Sequence, residues 1–277
     1  MQTRITTLSE NTAGPGNLLA EWGLSILVET EATSVLLDTG QSISASHNVD
    51  SLGVDLSKIS RIVLSHGHFD HTGGLRGMLA RMRKGVEVIA HPDIWSAKYG
   101  RRQGQDRYIG IPFQRRELES LGARFSLTTE PVRITDDIMT TGEIPMVTDF
   151  EQIDPNLFVR QGDEFRPDQL LDDQAVIIKT ELGLVVVLGC AHRGIINTLY
   201  HARQLTGVEK IRTVVGGCHL FGATEERVWL TIGALRELGV ETIGVSHCTG
   251  MPAAAIMARE LGEQFFFNNA GTRISLP

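Results

Sequence analysis

The sequence predicts an α/β protein, a four-layer αββα sandwich in which helices cover the outer faces of two packed sheets. Three observations support this fold class. Short segments rich in Val, Ile and Leu, each bounded by Gly, Asn, Ser or Asp, dominate the first third of the chain. Similar segments alternate with amphipathic helical stretches over the last third. The 277 residues suit one large domain, and we predict a single domain over 1–277.

The first part of the chain is predicted to form strands and one helix. The strand segments are 5–8, 25–30, 35–37, 59–64 and 86–90. A helix is predicted over 74–84, because Leu75, Met78 and Leu79 recur at helical spacing and Gly85 can end the helix. These elements form the first half of the predicted sandwich.

Strands and helices alternate more regularly towards the end of the chain. The predicted strands are 175–179, 184–188, 213–216 and 242–245, and the predicted helices are 195–205, 225–238 and 252–261. Thr224 is a suitable N-cap for the second of these helices, and Pro252 suits the first turn of the third. This alternation predicts the second sheet and its covering helices.

Residues from about 92 to 172 differ from both halves, and we interpret them as an insertion in the single domain. A short helix is predicted over 117–121, with strand-like segments at 124–128, 131–135 and 138–141. The first part of the insertion is rich in arginine. Its arginines are Arg101, Arg102, Arg107, Arg115 and Arg116. We expect a mobile part of this segment, near 99–116, to form a lid over a functional site.

Composition and charge exclude several classes of protein. The net charge is −7, with no basic surplus to bind nucleic acid. The first eleven residues lack the apolar core of a signal peptide, and no run reaches the roughly 18 apolar residues of a membrane span. Cys190, Cys218 and Cys248 lie far apart and are odd in number, which argues against a disulfide framework. We therefore expect a cytoplasmic protein.

The most specific motif is a cluster of histidines where a predicted strand ends. His66, His68, Asp70 and His71 form the pattern His-x-His-x-Asp-His, and Gly73 and Gly74 then open a helix. Imidazoles two residues apart at a strand end can chelate one metal ion. Asp70 and His71, turned by the loop, can hold a second ion nearby. The motif predicts a site for one or two divalent metal ions.

Three later strands each end at a histidine beside a cysteine. The pairs are Cys190 with His192, Cys218 with His219, and His247 with Cys248. In α/β proteins functional side chains collect at the carboxyl ends of strands, so these three positions are expected to converge. We predict His192 and His247 as further metal ligands, and leave His219 open between the site and the core.

These residues resemble the motifs of the metallo-β-lactamase superfamily. The segment 35–40, a strand that ends in Asp38, resembles its first motif, which implies that Asp38 orients a ligating imidazole. His247 is similar to its final histidine. The superfamily usually has an aspartate that bridges two metals, and Cys190 stands at the expected place. The resemblance leaves open whether a thiolate replaces that aspartate.

A narrower resemblance extends over nearly the whole chain. Segments 17–25, 108–112, 172–175, 189–198, 216–220 and 247–250 resemble the subgroup described as 7,8-dihydropterin-6-yl-methyl-4-(β-D-ribofuranosyl)aminobenzene 5′-phosphate synthase-like. Members of that subgroup typically have His after the early glutamate, where this chain has Trp22. That difference points to a different ligand if the histidine contacts substrate in relatives.

Together these features predict a metal-dependent hydrolase. Bound metal would lower the pKa of water, and the resulting hydroxide would attack an ester, lactone or phosphoester, with Asp70 orienting the water. Zinc is the expected metal, with manganese or iron as alternatives. The expected partner is a small anionic substrate contacted by Arg101, Arg102 and Tyr108 of the lid. A homo-oligomer is left open.

Two other functions fit the same residues. In the first, the enzyme transfers a pyrophosphate-activated pterin to an aminobenzene ribotide, and the arginines bind the pyrophosphate. In the second, the protein is a non-catalytic sensor. The cysteines close to histidines would then form a metal or redox-active iron centre that binds a ligand without turnover.

Overall fold

The strands of this computed structural model, which describes residues 2–276, form three sheets. The strands are β1 (Thr3–Ser9), β2 (Ser25–Thr30), β3 (Ser34–Leu37), β4 (Ile59–Val63), β5 (Val86–Ala90), β6 (Ala97–Arg102), β7 (Gln105–Tyr108), β8 (Ala123–Leu127), β9 (Ile138–Thr140), β10 (Leu157–Gln161), β11 (Glu164–Pro167), β12 (Ala175–Thr180), β13 (Gly183–Leu188), β14 (Ile211–Gly217), β15 (Thr242–Ser246), β16 (Phe265–Phe267) and β17 (Arg273–Leu276). The α-helices are α1 (Ser44–Ser51), α2 (Phe69–Thr72), α3 (Leu75–Met82), α4 (Arg115–Ser120), α5 (Ile195–Thr206), α6 (Glu225–Glu237) and α7 (Met251–Leu261).

Two large sheets form the centre of the molecule. The seven-stranded sheet has the order β17-β1-β2-β3-β4-β5-β8, and the six-stranded sheet has the order β16-β15-β14-β13-β12-β9. Strands β3, β4, β5 and β8 are parallel in the first sheet, as are β13 to β16 in the second. The carboxyl ends of several strands therefore lie along one edge of each sheet.

Apolar side chains fill the spaces between the layers. Val35 and Val63 of the first sheet pack with Val176 and Val187 of the second in a buried cluster between the sheets. A second cluster lies between the seven-stranded sheet and helices α1, α3 and α4, and a third lies between the six-stranded sheet and helices α5, α6 and α7. Burial of this apolar surface is the main stabilising contribution to the fold. The predicted four-layer αββα sandwich is confirmed.

The segment predicted as an insertion contains a third sheet of its own. Strands β6, β7, β10 and β11 form a four-stranded antiparallel sheet, while β8 and β9 of the same segment extend the two large sheets. The strand predicted at 131–135 is absent from the described residues, where a single bridge joins Arg133 to Met139. Thr135 explains the difference, because its hydroxyl accepts from the Ile138 amide at 3.0 Å and turns the chain back.

Some elements carry no clear pattern in the sequence. Helix α1 buries Ala45 and Val49 but is otherwise polar, so its apolar spacing is too sparse to detect. Asn48 fixes the helix instead, because its side-chain amide donates to the carbonyl oxygens of Leu8 at 2.7 Å and Leu19 at 2.8 Å. Across residues 2–276, no helix combines the length and apolar character needed to cross a bilayer.

Candidate metal centre

The residues of the His-x-His-x-Asp-His motif leave strand β4 and enter the short helix α2. His66 and His68 lie in the loop, and Asp70 and His71 lie in the helix, all four buried. The loop needs glycine at its close contacts. A Cβ atom on Gly73 would lie 2.0 Å from the carbonyl oxygen of Gln41, which no larger residue could tolerate. Glycine therefore lets the end of the motif pack closely against the loop that follows β3.

The carboxyl ends of five strands bring the predicted site residues, including the motif, to the same place. These residues are Asp38 after β3, the motif after β4, Cys190 and His192 after β13, His219 after β14 and His247 after β15. Asp38, His219 and His247 adopt left-handed backbone conformations with φ of 58°, 45° and 51°. Such conformations are costly for residues other than glycine and tend to occur at functional sites.

His66, His68 and His192 form the first triad. Their ligand nitrogens all lie within 4.8 Å of one another. His66 Nε2 is 3.0 Å from His68 Nδ1 and 3.2 Å from His192 Nε2. Three ring nitrogens thus face one small volume inside the protein.

Asp70, His71 and His247 form the second triad, whose ligand atoms also lie within 4.8 Å of one another. His247 Nε2 is 3.2 Å from Asp70 Oδ2. Trp22 adds a contact that the sequence did not predict, because its indole Nε1–H donates to Asp70 Oδ2 at 2.9 Å. The indole also lies against the His247 ring, with ring centroids 4.9 Å apart. Trp22 therefore contacts two of the three members of this triad.

Cys190 lies at the border of the two triads. Its sulfur is 3.0 Å from His71 Nε2, and it groups with His66 and His71 on one side. On the other side it groups with His192 and His219, whose rings are 4.0 Å apart between centroids. The structure thus brings the residue that the resemblance places at the bridging position into contact range of both triads.

Asp38 fixes the ring orientation of two predicted ligands. Its Oδ2 accepts from Ser65 Oγ at 2.6 Å and from His71 Nδ1 at 2.6 Å. Because Ser65 gives its only hydroxyl hydrogen to Asp38, it can only accept from His66 Nδ1, which lies 2.9 Å away. Both imidazoles therefore carry hydrogen on Nδ1, which turns Nε2 of each ring towards the site.

Burial sets the protonation states of the first triad. It lowers the pKa of His68 to about 3 and holds the pKa of His66 and of His192 well below the usual value for histidine. These rings are therefore neutral, which is the form that binds a metal ion. His71 differs: burial alone would lower its pKa, but the Asp38 carboxylate outweighs burial and raises the pKa to about 9.

The donor set fits a bound metal ion. His66 Nε2 can accept only one hydrogen bond, from His68 or from His192, whereas a cation among the three nitrogens could accept a lone pair from each of them. His247 Nε2 is buried and makes no hydrogen bond within the described chain, although Asp70 is close. Imidazole, carboxylate and thiol donors of this kind suit zinc and other first-row transition metals.

An open cleft of about 720 Å³ adjoins this centre. His219 and Phe221 line it, together with Arg102 from the small sheet and Arg227 from helix α6. Of the predicted substrate-binding residues, Arg102 thus lies at the cleft. Arg101 pairs with Asp106 at 2.6 Å on the exposed hairpin.

The phenol of the third predicted substrate-binding residue, Tyr108, donates to the carbonyl oxygen of Ile111 at 2.9 Å. Tyr108 also packs edge-on against Tyr99, with ring centroids 5.5 Å apart.

Sequence reasoning missed a buried ion network behind the metal loop. Lys98 of strand β6 is 1% exposed, and its Nζ lies 2.8 Å from Asp168 and 2.9 Å from Asp172. The other oxygen of Asp172 accepts from the Gly67 amide at 2.8 Å. The network therefore connects the small sheet to the residue between His66 and His68. No local pattern around Lys98 indicated that its side chain is buried.

Comparison with known proteins agrees with this geometry. A family model described as the metallo-beta-lactamase superfamily matches residues 23–247. The chain is 33% identical to the 7,8-dihydropterin-6-methyl-4-(beta-D-ribofuranosyl)-aminobenzene-5'-phosphate synthase of Methanocaldococcus jannaschii, over 97% of this chain and 95% of that protein.

Solved structures agree as well. The chain is similar to Tm1679, described as a metal-dependent hydrolase of the beta-lactamase superfamily, with a TM-score of 0.85, 30% identity and 99% of each chain covered. YhfI from Bacillus subtilis, described as a metallo-beta-lactamase fold protein, has a TM-score of 0.62 at 12% identity, with 99% of each chain covered, and shows the shared fold alone.

Proposed function

This chain belongs to the metallo-beta-lactamase superfamily, and from that premise we propose that it is a metal-dependent hydrolase of a small ester, lactone or phosphoester. One observation carries the proposal. Two buried triads, each able to hold a metal ion, lie side by side with Cys190 at their border. Divalent metals are the expected cofactor because members of the superfamily typically bind them. The mixed imidazole and thiol donors favour zinc.

The residues divide into ligands and groups that hold the ligands in place. His66, His68 and His192 would hold one ion, and Asp70, His71 and His247 the other. Ions bound there supply Lewis acidity, which lowers the pKa of water and stabilises negative charge that develops on a substrate. Asp38 orients the ring of His71 directly and that of His66 through Ser65, so that Nε2 of each ring faces the site. Asp70 is the residue proposed to orient the attacking water.

A small anionic molecule is the proposed substrate. The cleft beside the centre carries the guanidinium groups of Arg102 and Arg227, which suit carboxylate or phosphate oxygens. Asp154 and Glu226 also line the cleft, so we expect the anion to bind at Arg102 and Arg227 rather than elsewhere along the wall. We place the enzyme in the cytoplasm because Cys190, Cys218 and Cys248 are free thiols.

A second candidate function is the pterin-related transfer. It is favoured by 33% identity, over nearly the full length of both chains, to a protein that bears the name of that synthase. In this reaction an aminobenzene ribotide displaces pyrophosphate from an activated pterin, and the arginines of the cleft would contact the pyrophosphate. Trp22 stands where the subgroup typically has histidine, which points to a different ligand if that histidine contacts substrate in relatives, and on this ground we place hydrolysis first.

The test combines metal analysis with turnover. Purified, tag-free protein is expected to contain zinc or another first-row metal and to hydrolyse bis(4-nitrophenyl) phosphate or 4-nitrophenyl butyrate. His68→Ala and His247→Ala should each lower kcat/KM by more than about 100-fold. His47→Ala is the matched control, because His47 is only half-buried and contacts the carbonyl oxygen of Asn17 outside the centre.

The outcome separates the two candidates. Hydrolysis that is lost in both site variants and kept in the control supports the first function. Product from a dihydropterin pyrophosphate and an aminobenzene ribotide, with no ester or phosphodiester turnover, would support the second function instead. Protein that binds no transition metal even after reconstitution would contradict both.

A further inference from the structure

Large apolar side chains are exposed together at one place beside the second triad. Trp22, Phe221, Met251 and Phe267 are between 42% and 67% exposed, and all four line the same cavity. They come from four separate parts of the chain, including the loop after β14, the start of α7 and strand β16. A cluster of exposed apolar side chains from distant segments is typical of a binding site.

The cavity has the size and lining of a small-molecule site. Its volume is about 310 Å³, and Val245, Pro252 and Ala254 complete its apolar wall. Polar residues also contribute to its lining, namely Glu10, Asn11, Thr12, Ser246, His247, Thr249 and Asn269. Sites that bind small ligands commonly have such a volume, with mostly apolar walls and a few polar groups that orient the ligand.

The same side chains connect this cavity to the metal centre. Trp22 and His247 line the cavity, and both contact Asp70 Oδ2, at 2.9 Å and 3.2 Å. Phe221 lines both the cavity and the larger cleft, and its ring packs edge-on against Trp22 with centroids 5.9 Å apart. A ligand in the cavity would thus lie next to the residues of the second triad.

We propose that this cavity binds a flat aromatic part of the substrate, beside Asp70 and His247. The proposal rests on the proposed function, and it adds a chemical class to the substrate: an anionic group joined to an aromatic ring. The aromatic walls favour a ring over an aliphatic chain, because ring edges and faces can pack against Trp22 and Phe221 in the offset arrangements that aromatic pairs prefer. A polar group on the ring would meet the side-chain amide of Asn269.

Ligand binding to the zinc-loaded protein tests this without any need for turnover. Phenylphosphonate and methylphosphonate carry the same anion, and the first adds one aromatic ring. Calorimetry is expected to show that phenylphosphonate binds at least about tenfold more tightly than methylphosphonate, because burial of one phenyl ring contributes that much to the affinity. Phe267→Ala and Met251→Ser, which alter exposed walls of the cavity, should reduce the ratio to about threefold or less.

Tyr200→Ala is the matched control, because Tyr200 is a similarly exposed aromatic residue on helix α5 that lies outside the lining of the cavity. It should keep the full ratio. A ratio within twofold of unity in the wild-type protein would overturn the proposal. A second result would also overturn it: light scattering shows that the wild-type protein is a dimer and that Phe267→Ala is a monomer, and neither protein prefers one phosphonate. The patch would then be a subunit interface.

A third probe separates this proposal from the proposed function. Benzyl alcohol carries no anion, and its binding to metal-free protein can be followed by ligand-observed NMR. If neither phosphonate binds but benzyl alcohol binds and Phe267→Ala abolishes that binding, the cavity assignment stands and the hydrolase assignment fails. If benzyl alcohol and both phosphonates all fail to bind, the cavity assignment is wrong as well.

Discussion

Lys98→Met tests how much the buried ion network behind the metal loop contributes to the stability of the fold. The ammonium group is buried and contacts Asp168 at 2.8 Å and Asp172 at 2.9 Å. Its removal would leave two carboxylates with no cation in an interior where Asp172 is fully buried. Breaking a buried ion pair by removing one partner costs about 3–5 kcal/mol, because the remaining charge is left without compensation. We expect a loss of that size in the free energy of unfolding.

Urea denaturation of metal-free protein measures this loss, and Lys210→Met is the control. Lys210 pairs with Glu241 at the same distance of 2.8 Å but is 58% exposed, so its loss should cost about 1 kcal/mol or less. Adding Asp168→Asn and Asp172→Asn to Lys98→Met should recover part of the stability, since the buried charge is removed. Equal losses for Lys98→Met and Lys210→Met would refute the reasoning.

Three further predictions concern the metal centre and its surroundings. Trp22→Phe keeps an aromatic ring but removes the hydrogen bond to Asp70, so one of two Co²⁺ binding steps should weaken by about 10–100-fold. Trp229→Phe is the control, because Trp229 bonds to Glu225 instead, and it should leave both steps unchanged. Equal Co²⁺ affinities in the two variants would contradict this prediction. Burial raises the pKa of Asp173 to about 7, so the folded protein holds a proton that the unfolded chain releases between about pH 4 and pH 7. Wild-type stability should therefore fall relative to metal-free Asp173→Asn by about 1.4 kcal/mol per pH unit over that range, and a difference that is independent of pH in urea denaturation would exclude this. Chelation of the metal should lower the melting temperature, because ion concentrations near 1,000 times Kd stabilise the folded state by about 4 kcal/mol, and an unchanged melting curve would count against metal binding.

Local patterns were enough to predict most of the fold. The buried strands are short apolar runs, and the helices that cover them repeat apolar residues at helical spacing, so both are visible in the sequence. The small sheet is different. Strand β7 is exposed along its whole length, and it follows a turn at Gln103 and Gly104 with φ of 51° and 74°. Because it buries little apolar surface, it lacks the alternation that marks a strand.

Part of the candidate site could likewise be predicted from local sequence patterns, and part could not. His66, His68, Asp70 and His71 are close in sequence, so their spacing alone predicted a metal loop. The contact between His71 and Cys190 joins residues 119 positions apart, and it depends on how the two sheets pack.

The contacts of Trp22 with Asp70 and of Lys98 with Asp172 are likewise set by packing. No local pattern encodes them.

Anomalous diffraction at the zinc absorption edge, from crystals of protein purified without chelator, tests the central claim most directly. The account predicts two anomalous peaks, each at a coordination distance of about 2.0–2.3 Å from its ligands. One peak should lie among His66, His68 and His192, and the other among Asp70, His71 and His247. A peak elsewhere on the molecule, or none within coordination distance of either triad after zinc is added, would contradict the account.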